Sequence, residues 1–454
     1  MSGQLRHVVT QDPAQRMQTA WGPSYNRART AHLRFTRDRD ERYYTVQAWG
    51  PAFAETGGGG YQARLAAEAD RIQGGIAKLR EEWQREVIER GWADPETGRT
   101  VRPFVDDWRT GASVPQAVLR RVWLSLARSG HSLFRMLFHG PDAALAEITA
   151  QLTQALRAGP CVLTMESDDL YVPWGMLYTP PLDSDDLLRD QSSDPADDAW
   201  SLDGFWGYRH VVEHNFSRMP GFDSRIALPD DGRVAVGLNV DGRVDEEYPR
   251  TEFVGALPGI FEGCDRRSRV EVRGAKWELA RALSSPDFGD HISYFGCHAE
   301  VGSTGYGRGS GAAGYGATQP YFVLGDDERI YVSDLMGWRP VDQLASSPLV
   351  FVAACQGGQL SSDFYPSFGR QLLDMGARCL VGPQIDLPRA FAREYTARFF
   401  TSFLDKGGRI GDITQALARD FAREHGNPLG LIFSLHRGMD VHLWSPNEES
   451  GAAH

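Results

Sequence analysis

Short apolar runs alternate with longer stretches in which apolar residues recur every three or four positions. CVLTMES (Cys161–Ser167), RVAVGLNV (Arg233–Val240), HISYFGC (His291–Cys297), PLVFVAAC (Pro348–Cys355) and ARCLVGPQ (Ala377–Gln384) read as buried strands. Amphipathic spacing predicts helices over Leu119–Phe138, Ala143–Leu156, Phe253–Phe261, Ala275–Leu283, Tyr365–Met375, Arg389–Leu404 and Asp412–Phe421. The last begins with Asp412 and has Gln415 three residues on, the pattern of a capping box. Buried strands alternating with amphipathic helices predict an α/β fold: a mostly parallel sheet with helices on both faces. The stripe Phe391, Tyr395, Phe399 and Phe403 is expected to pack into the core against that sheet.

Upstream the pattern differs. Residues 1–30 read as a loose N-terminal arm. Leu33–Asp38 and Arg42–Trp49 are β-prone runs around a charged turn and predict a hairpin. Gly57–Gly60 is a break, and Tyr61–Arg90 has helical composition. The expected organisation is an arm (1–30), a small accessory hairpin and helix region (31–110), a main domain (114–446) and a disordered tail (447–454). Asp168-Asp169 reads as a turn leading to LYVPWGMLY (Leu170–Tyr178), and Pro180–Asp203 as an acidic loop. No repeat of 20–50 residues is visible.

Composition narrows the function classes. The net charge is −12, which makes nucleic acid an unexpected partner. No apolar run reaches the ~18–20 residues of a membrane span and no leader is evident, so a cytoplasmic protein is expected. The five cysteines, Cys161, Cys264, Cys297, Cys355 and Cys379, are odd in number and lack a CxxC pair. Neither a disulfide framework nor a cysteine-rich metal site is expected, and no cofactor. Only Lys78, Lys276 and Lys406 are lysines among 48 basic residues, a bias of GC-rich bacterial genomes.

In such sheets reactive groups sit just past the carboxyl ends of strands. Two strands end in them: one in Cys297-His298-Ala299-Glu300, the other in Ala353-Ala354-Cys355-Gln356-Gly357-Gly358. If these strands are neighbours, imidazole and thiol emerge at one edge, the minimal kit for covalent acyl transfer. The glycines after Cys355 leave room for substrate backbone and for N–H groups facing an oxyanion. The plainer reading is that a cysteine ending an apolar strand packs the core. Cys297 adjoins His298, and adjacent side chains on a strand point to opposite faces, so those two would not meet.

FGCHAEVG, a glycine-rich loop, YFVLGDDERIYVSDL, SSPLVFVAACQGGQL and FGRQLLDMGARCLVGPQ follow in order. This succession resembles the CHAT family of caspase-like cysteine peptidases, relatives of caspases and separases. The resemblance extends upstream to ESDDLYVPWGMLY, like the family's early hairpin, and downstream through FTSFLDKGGRIGDITQALARDFAREHGNPLGLIFSLHRG, covering about Val114–Trp444. It implies a caspase-like sheet, His298 as the catalytic histidine, Cys355 as the nucleophile, and a dyad without an obligatory third carboxylate. The backbone N–H groups of Ala299 and Cys355 become the implied oxyanion hole. Ala299 stands where the family commonly has Gly, and Gly175 where Glu usually follows Pro-Trp.

Two patterns are discounted. Gly309-x-Gly311-x-x-Gly314 lacks the strand and helix of a dinucleotide site, and Gly302–Gln319 reads as a loop beside the histidine. Asp241–Glu247 lacks metal-ligand spacing and reads as a solvated turn. Substrate-pocket candidates are Asp168, Asp169 and Ala353, on the expectation that Cys161–Ser167 is the fold's first strand. The resulting expectation is a sequence-specific endopeptidase acting in regulated proteolysis linked to bacterial anti-phage defence or programmed cell death. Its partners would be a protein substrate, encoded nearby, and a protein or ligand activator. The alternatives are a catalytically silent CHAT scaffold, and a different α/β enzyme such as a thiol acyltransferase.

Overall fold

The structure, a computed structural model, describes residues 26–53, 60–93, 98–109, 114–180, 200–216, 222–246, 252–303, 318–338, 343–354 and 364–444. Its strands, in chain order, are β1 (Ala31–Arg37), β2 (Tyr43–Trp49), β3 (Tyr61–Glu68), β4 (Trp92–Ala93), β5 (Thr100–Val101) and β6 (Val162–Glu166). Then come β7 (Val211–Asn215), β8 (Arg225–Ala227), β9 (Val234–Val240), β10 (Ser268–Arg273), β11 (Ile292–Gly296) and β12 (His298–Ser303). The last six are β13 (Thr318–Leu324), β14 (Glu328–Tyr331), β15 (Leu349–Val352), β16 (Cys379–Pro383), β17 (Phe433–His436) and β18 (His442–Trp444).

Eleven strands form one sheet in the order β10-β9-β11-β15-β16-β17-β7-β6-β1-β2-β3. Every pairing in it is parallel except β16–β17, β1–β2 and β2–β3. The mostly parallel sheet with helices on both faces is the fold class expected. The antiparallel step at β17 turns the direction over, so β7, β6 and β1 run opposite to β9, β11, β15 and β16. A separate antiparallel sheet, β12-β13-β14, grows from the carboxyl end of β11.

The apolar runs are buried on both faces, as parallel strands require. On one face Tyr294 and Phe351 stack with ring centroids 5.4 Å apart and meet Phe399 and Phe400 of the helix Arg389–Leu404. The aromatic stripe is therefore core, as its spacing indicates; Tyr395 also stacks on Phe433 at 3.8 Å. On the other face Phe295, Val350, Val352 and Leu380 share a second core with Leu279, Leu283, Phe364 and Phe368.

The N-terminal hairpin forms as β1 and β2 and adds to the same sheet, β1 lying parallel to β6. A buried ionic knot holds its start. Asp440, wholly buried, takes Arg27 at 2.9 Å, Arg29 at 2.6 Å and Arg409 at 3.3 Å, and Arg29 reaches Glu213 at 3.2 Å. Three local expectations fail. Tyr61–Glu68 is strand instead of helix, because Ala63, Leu65 and Ala67 alternate with outward residues; the helix starts at Ala69. Leu170–Tyr178 forms no hairpin strand, since β6 already has parallel neighbours on both sides, β1 and β7. It makes one turn at Trp174–Met176 instead. The last helix begins at Ile410, so Asp412 lies inside it and pairs with Arg27 in place of capping.

Candidate active site

β11 and β15 are adjacent and parallel, in register from Ile292↔Leu349 to Phe295↔Val352. The ladder runs one bond further, Ala353 N–H donating to Phe295 C=O at 2.9 Å. His298 follows β11 after only Cys297 and opens β12, opposite Val323 of β13. Its side chain is buried. At the end of the neighbouring strand Ala353 and Ala354 are buried, one in each core. Ala354 is the last described residue there; Cys355 and the glycines after it lie outside the described residues. The methyl of Ala299 is buried in the second core beside Phe322. The expected loop Gly302–Gln319 starts and ends as paired strand, Gly302 opposite Gln319 and Ser303 opposite Thr318. Its residues 304–317, which hold the discounted glycine pattern, lie outside the described residues.

Burial makes three of the other cysteines, Cys161, Cys264 and Cys379, poor nucleophiles. Cys161, Cys264, Cys297 and Cys379 are all buried, and none of them is in a disulfide among the described residues. Burial pushes the Cys161 thiol up, the Cys264 thiol to about 11, and the Cys379 thiol well above its usual range. A thiol held protonated does not attack carbonyls at neutral pH.

Asp168 and Asp169 are not at this edge. They follow the carboxyl end of β6, which runs opposite to β15. The registers Glu166↔Asn215, His214↔His436 and His436↔Leu380 put that end level with the start of β16. There Asp168 faces Arg370 at 3.4 Å. The Asp169 backbone carbonyl accepts from Tyr44 and Gln73, and Ser167 Oγ accepts from the N–H groups of Asp169 and Leu170. This is a hydroxyl-braced turn, and it does not share the edge where His298 stands.

The acid at the carboxyl end of the strand beside β11 is Asp241, which follows β9. Its backbone N–H donates to Gly296 C=O at 3.1 Å, and its side chain is wholly buried. The carboxylate takes the Arg243 guanidinium through Nε at 3.0 Å and a terminal nitrogen at 2.9 Å. Arg243 also donates to Leu324 C=O at 3.3 Å and pairs with Asp327. These hydrogen bonds, to Asp241 before Asp327, hold the guanidinium pKa well above its usual value. The turn Leu324–Glu328 is fixed from a second side, where Gly325 N–H donates to Gly274 C=O at 2.8 Å. A Cβ on Gly325 would stand 2.6 Å from that oxygen, so only glycine allows the approach. Arg243 thus pins the sheet that begins with His298 to the strand beside it.

The reading of Asp241–Glu247 as a solvated turn is therefore corrected. Asp245 is also engaged, accepting from the N–H groups of Phe253, Val254 and Gly255. Glu247 lies outside the described residues. The signal for Asp241 is its place directly after a continuous apolar strand, the same signal that singles out His298. Among the described residues no cluster of three or more His, Cys, Asp or Glu side chains could hold a metal ion. At Gly175, a Cβ would approach Leu431 C=O to 3.2 Å and the Gly207 Cα to 3.5 Å, so the chain has closed over the space a larger residue needs.

No family model matches the chain. It is 24% identical over 251 residues to a probable protease of Vitiosangium sp. (strain GDMCC 1.1324). That match takes in 53% of this chain and only 30% of the relative's length. Two solved structures of the Saccharomyces cerevisiae separase–securin complex superpose with TM-scores of 0.38 and 0.40 at 8% identity. Each superposition covers 91% of this chain and 30% of the separase–securin chain matched. The peptidase resemblance read from the ordered motifs thus has a counterpart in a relative described as a probable protease.

Proposed function

We propose that the chain is a caspase-like cysteine endopeptidase in which His298 and Cys355 form the catalytic dyad. The observation that carries the proposal is the pairing of β11 with β15 in parallel register, which leads both chains to one edge of the sheet. In the proposed reaction the Cys355 thiolate attacks the scissile carbonyl. Backbone N–H groups, those of Ala299 and Cys355 among them, face the oxyanion. The His298 imidazolium then protonates the departing amine, and water attacks the acyl-enzyme with His298 as base. Of the five cysteines, Cys355 is the one that follows the carboxyl end of β15, while burial raises the pKa of three others. Asp168 and Asp169 belong to the far edge and Ala353 is packed in the core, so the proposed dyad does not draw its substrate pocket from these three.

The substrate in this proposal is one protein, encoded near the peptidase and cut under control of a protein or ligand activator in the bacterial cytoplasm, in defence or cell death. The test is a survey of new protein N-termini in cells carrying wild type, Cys355→Ala or His298→Ala, each with and without genomic neighbours. The proposal expects termini that appear with wild type alone. Identical surveys for all three would turn the reading to a silent scaffold.

A further inference from the structure

The eleven-stranded sheet has two outer strands, β3 and β10. On β10, Arg267 C=O accepts from Val234 N–H at 3.1 Å, with Ser268 in register with Val234. In a parallel ladder that pattern turns Arg267, Arg269, Glu271 and Arg273 toward β9. The N–H and C=O groups of Ser268, Val270 and Val272 then point away from the sheet. Among the described residues no strand pairs with that side. Two large apolar residues are exposed beside it: Val272 at 53% and Trp277, in the next helix, at 57%.

Edge strands are commonly guarded by charge. A guard of one sign repels a second copy, but β10 reads Arg269-Val270-Glu271-Val272-Arg273, with signs that alternate on one face. We propose that β10 pairs antiparallel with β10 of a second copy, about a two-fold axis at Val270, to make one sheet across a homodimer. Outward-facing residues must meet outward-facing residues, which restricts the registers. Centred on Val270, the two Val270 residues exchange both backbone hydrogen bonds, and Ser268 meets the other copy's Val272. Arg269 then lies opposite the other copy's Glu271, twice over, as cross-strand opposite charges favour.

The neighbouring registers are worse. Centring on Glu271 sets the two glutamates against each other, and centring on Arg269 sets the two arginines so. Centring on Val272 calls on Arg273, whose guanidinium is already buried against Asp290 at 2.6 and 2.9 Å. The arrangement is isologous and closes on itself. A lone strand pair falls short of the roughly 1,200 Å² of a stable interface, so neighbouring surface must join. In the proposed dimer the exposed Trp277, stacked under Arg281 at 5.2 Å, is part of that added surface. Arg281 in turn acts on the Glu271 carboxylate, after the stronger pull of Arg273, which places this helix beside the charged face.

The test is sedimentation of the full chain as wild type, Arg269→Glu, Glu271→Arg and the double exchange, with thermal unfolding to show that each is folded. Wild type is expected to be a dimer at micromolar concentration. Each single exchange sets like charges opposite and should weaken dimerisation about tenfold or more. The double exchange restores Glu opposite Arg and should recover the dimer. A monomeric wild type, a dimer indifferent to the single exchanges, or a double exchange that fails to recover it while folded would each overturn the proposal.

Discussion

At the scale of single residues, burial sorts the thiols. Cys161, Cys264 and Cys379 are pushed above their ordinary pKa by desolvation, so native protein at pH 7 should resist alkylation there. Peptide mapping after brief iodoacetamide treatment is expected to find label on Cys355 and almost none on those three until denaturant is added. Arg243 permits a second residue-level prediction. Arg243→Ala leaves the wholly buried Asp241 carboxylate without its cation. Because Arg243 is itself about one-third exposed, the loss is discounted to on the order of 2 kcal/mol. Urea unfolding should show it, and Arg243→Lys should recover part. His298 and Cys355 stand out in the sequence because each ends an apolar run; the structure describes His298 directly after β11 and Cys297, while Cys355 lies outside the described residues. Asp241 does not stand out, because its acidic neighbours look like a solvated turn. Burial of a short polar side chain depends on what folds over it, and here that is a turn more than eighty positions along the chain.

At the scale of elements, legibility follows burial. β9, β11, β15 and β16 are continuous apolar runs, and the helix Arg389–Leu404 has the expected bounds. These elements carry the core, so their own pattern specifies them. Phe399 meets Phe351 at 5.0 Å and is fully buried; Phe399→Ala should cost about 3–5 kcal/mol, read as a lower urea midpoint. β3 is harder to read, since Ala63, Ala66 and Ala67 suit a helix as well as a strand. The failure with most consequence concerns β6. Its apolar run is recognisable, but nothing local to it encodes direction relative to β15. That direction is set by the single antiparallel step at β17, two strands away, and it alone carries Asp168 and Asp169 to the far edge.

At the scale of the whole molecule, buried imidazoles join the two halves of the sheet. His214 of β7 and His436 of β17 lie side by side, ring centroids 5.5 Å apart, and His210 precedes β7. Burial lowers all three: His210 to about 3, His214 to about 4, and His436 well below its ordinary value. Their folded pKa values lie below the unfolded value, so the unfolded chain binds protons first. Stability is therefore full above about pH 6.5 and falls as pH drops toward 4 and then 3. Between pH 6.5 and 5 the loss is at most about 2 kcal/mol per histidine. Urea midpoints at pH 7.5 and pH 5 should differ accordingly, and His436→Phe should reduce the difference.

The central claim is that His298 and Cys355 act as a pair across β11 and β15. It is tested most directly, without any substrate, by the pH dependence of Cys355 alkylation by iodoacetamide in wild type and His298→Ala. A paired thiol should react at pH 6 and titrate well below the ordinary value near 8.5, and His298→Ala should return the profile to that value. Profiles that coincide, with Cys355 titrating as an isolated thiol in both proteins, would contradict the account.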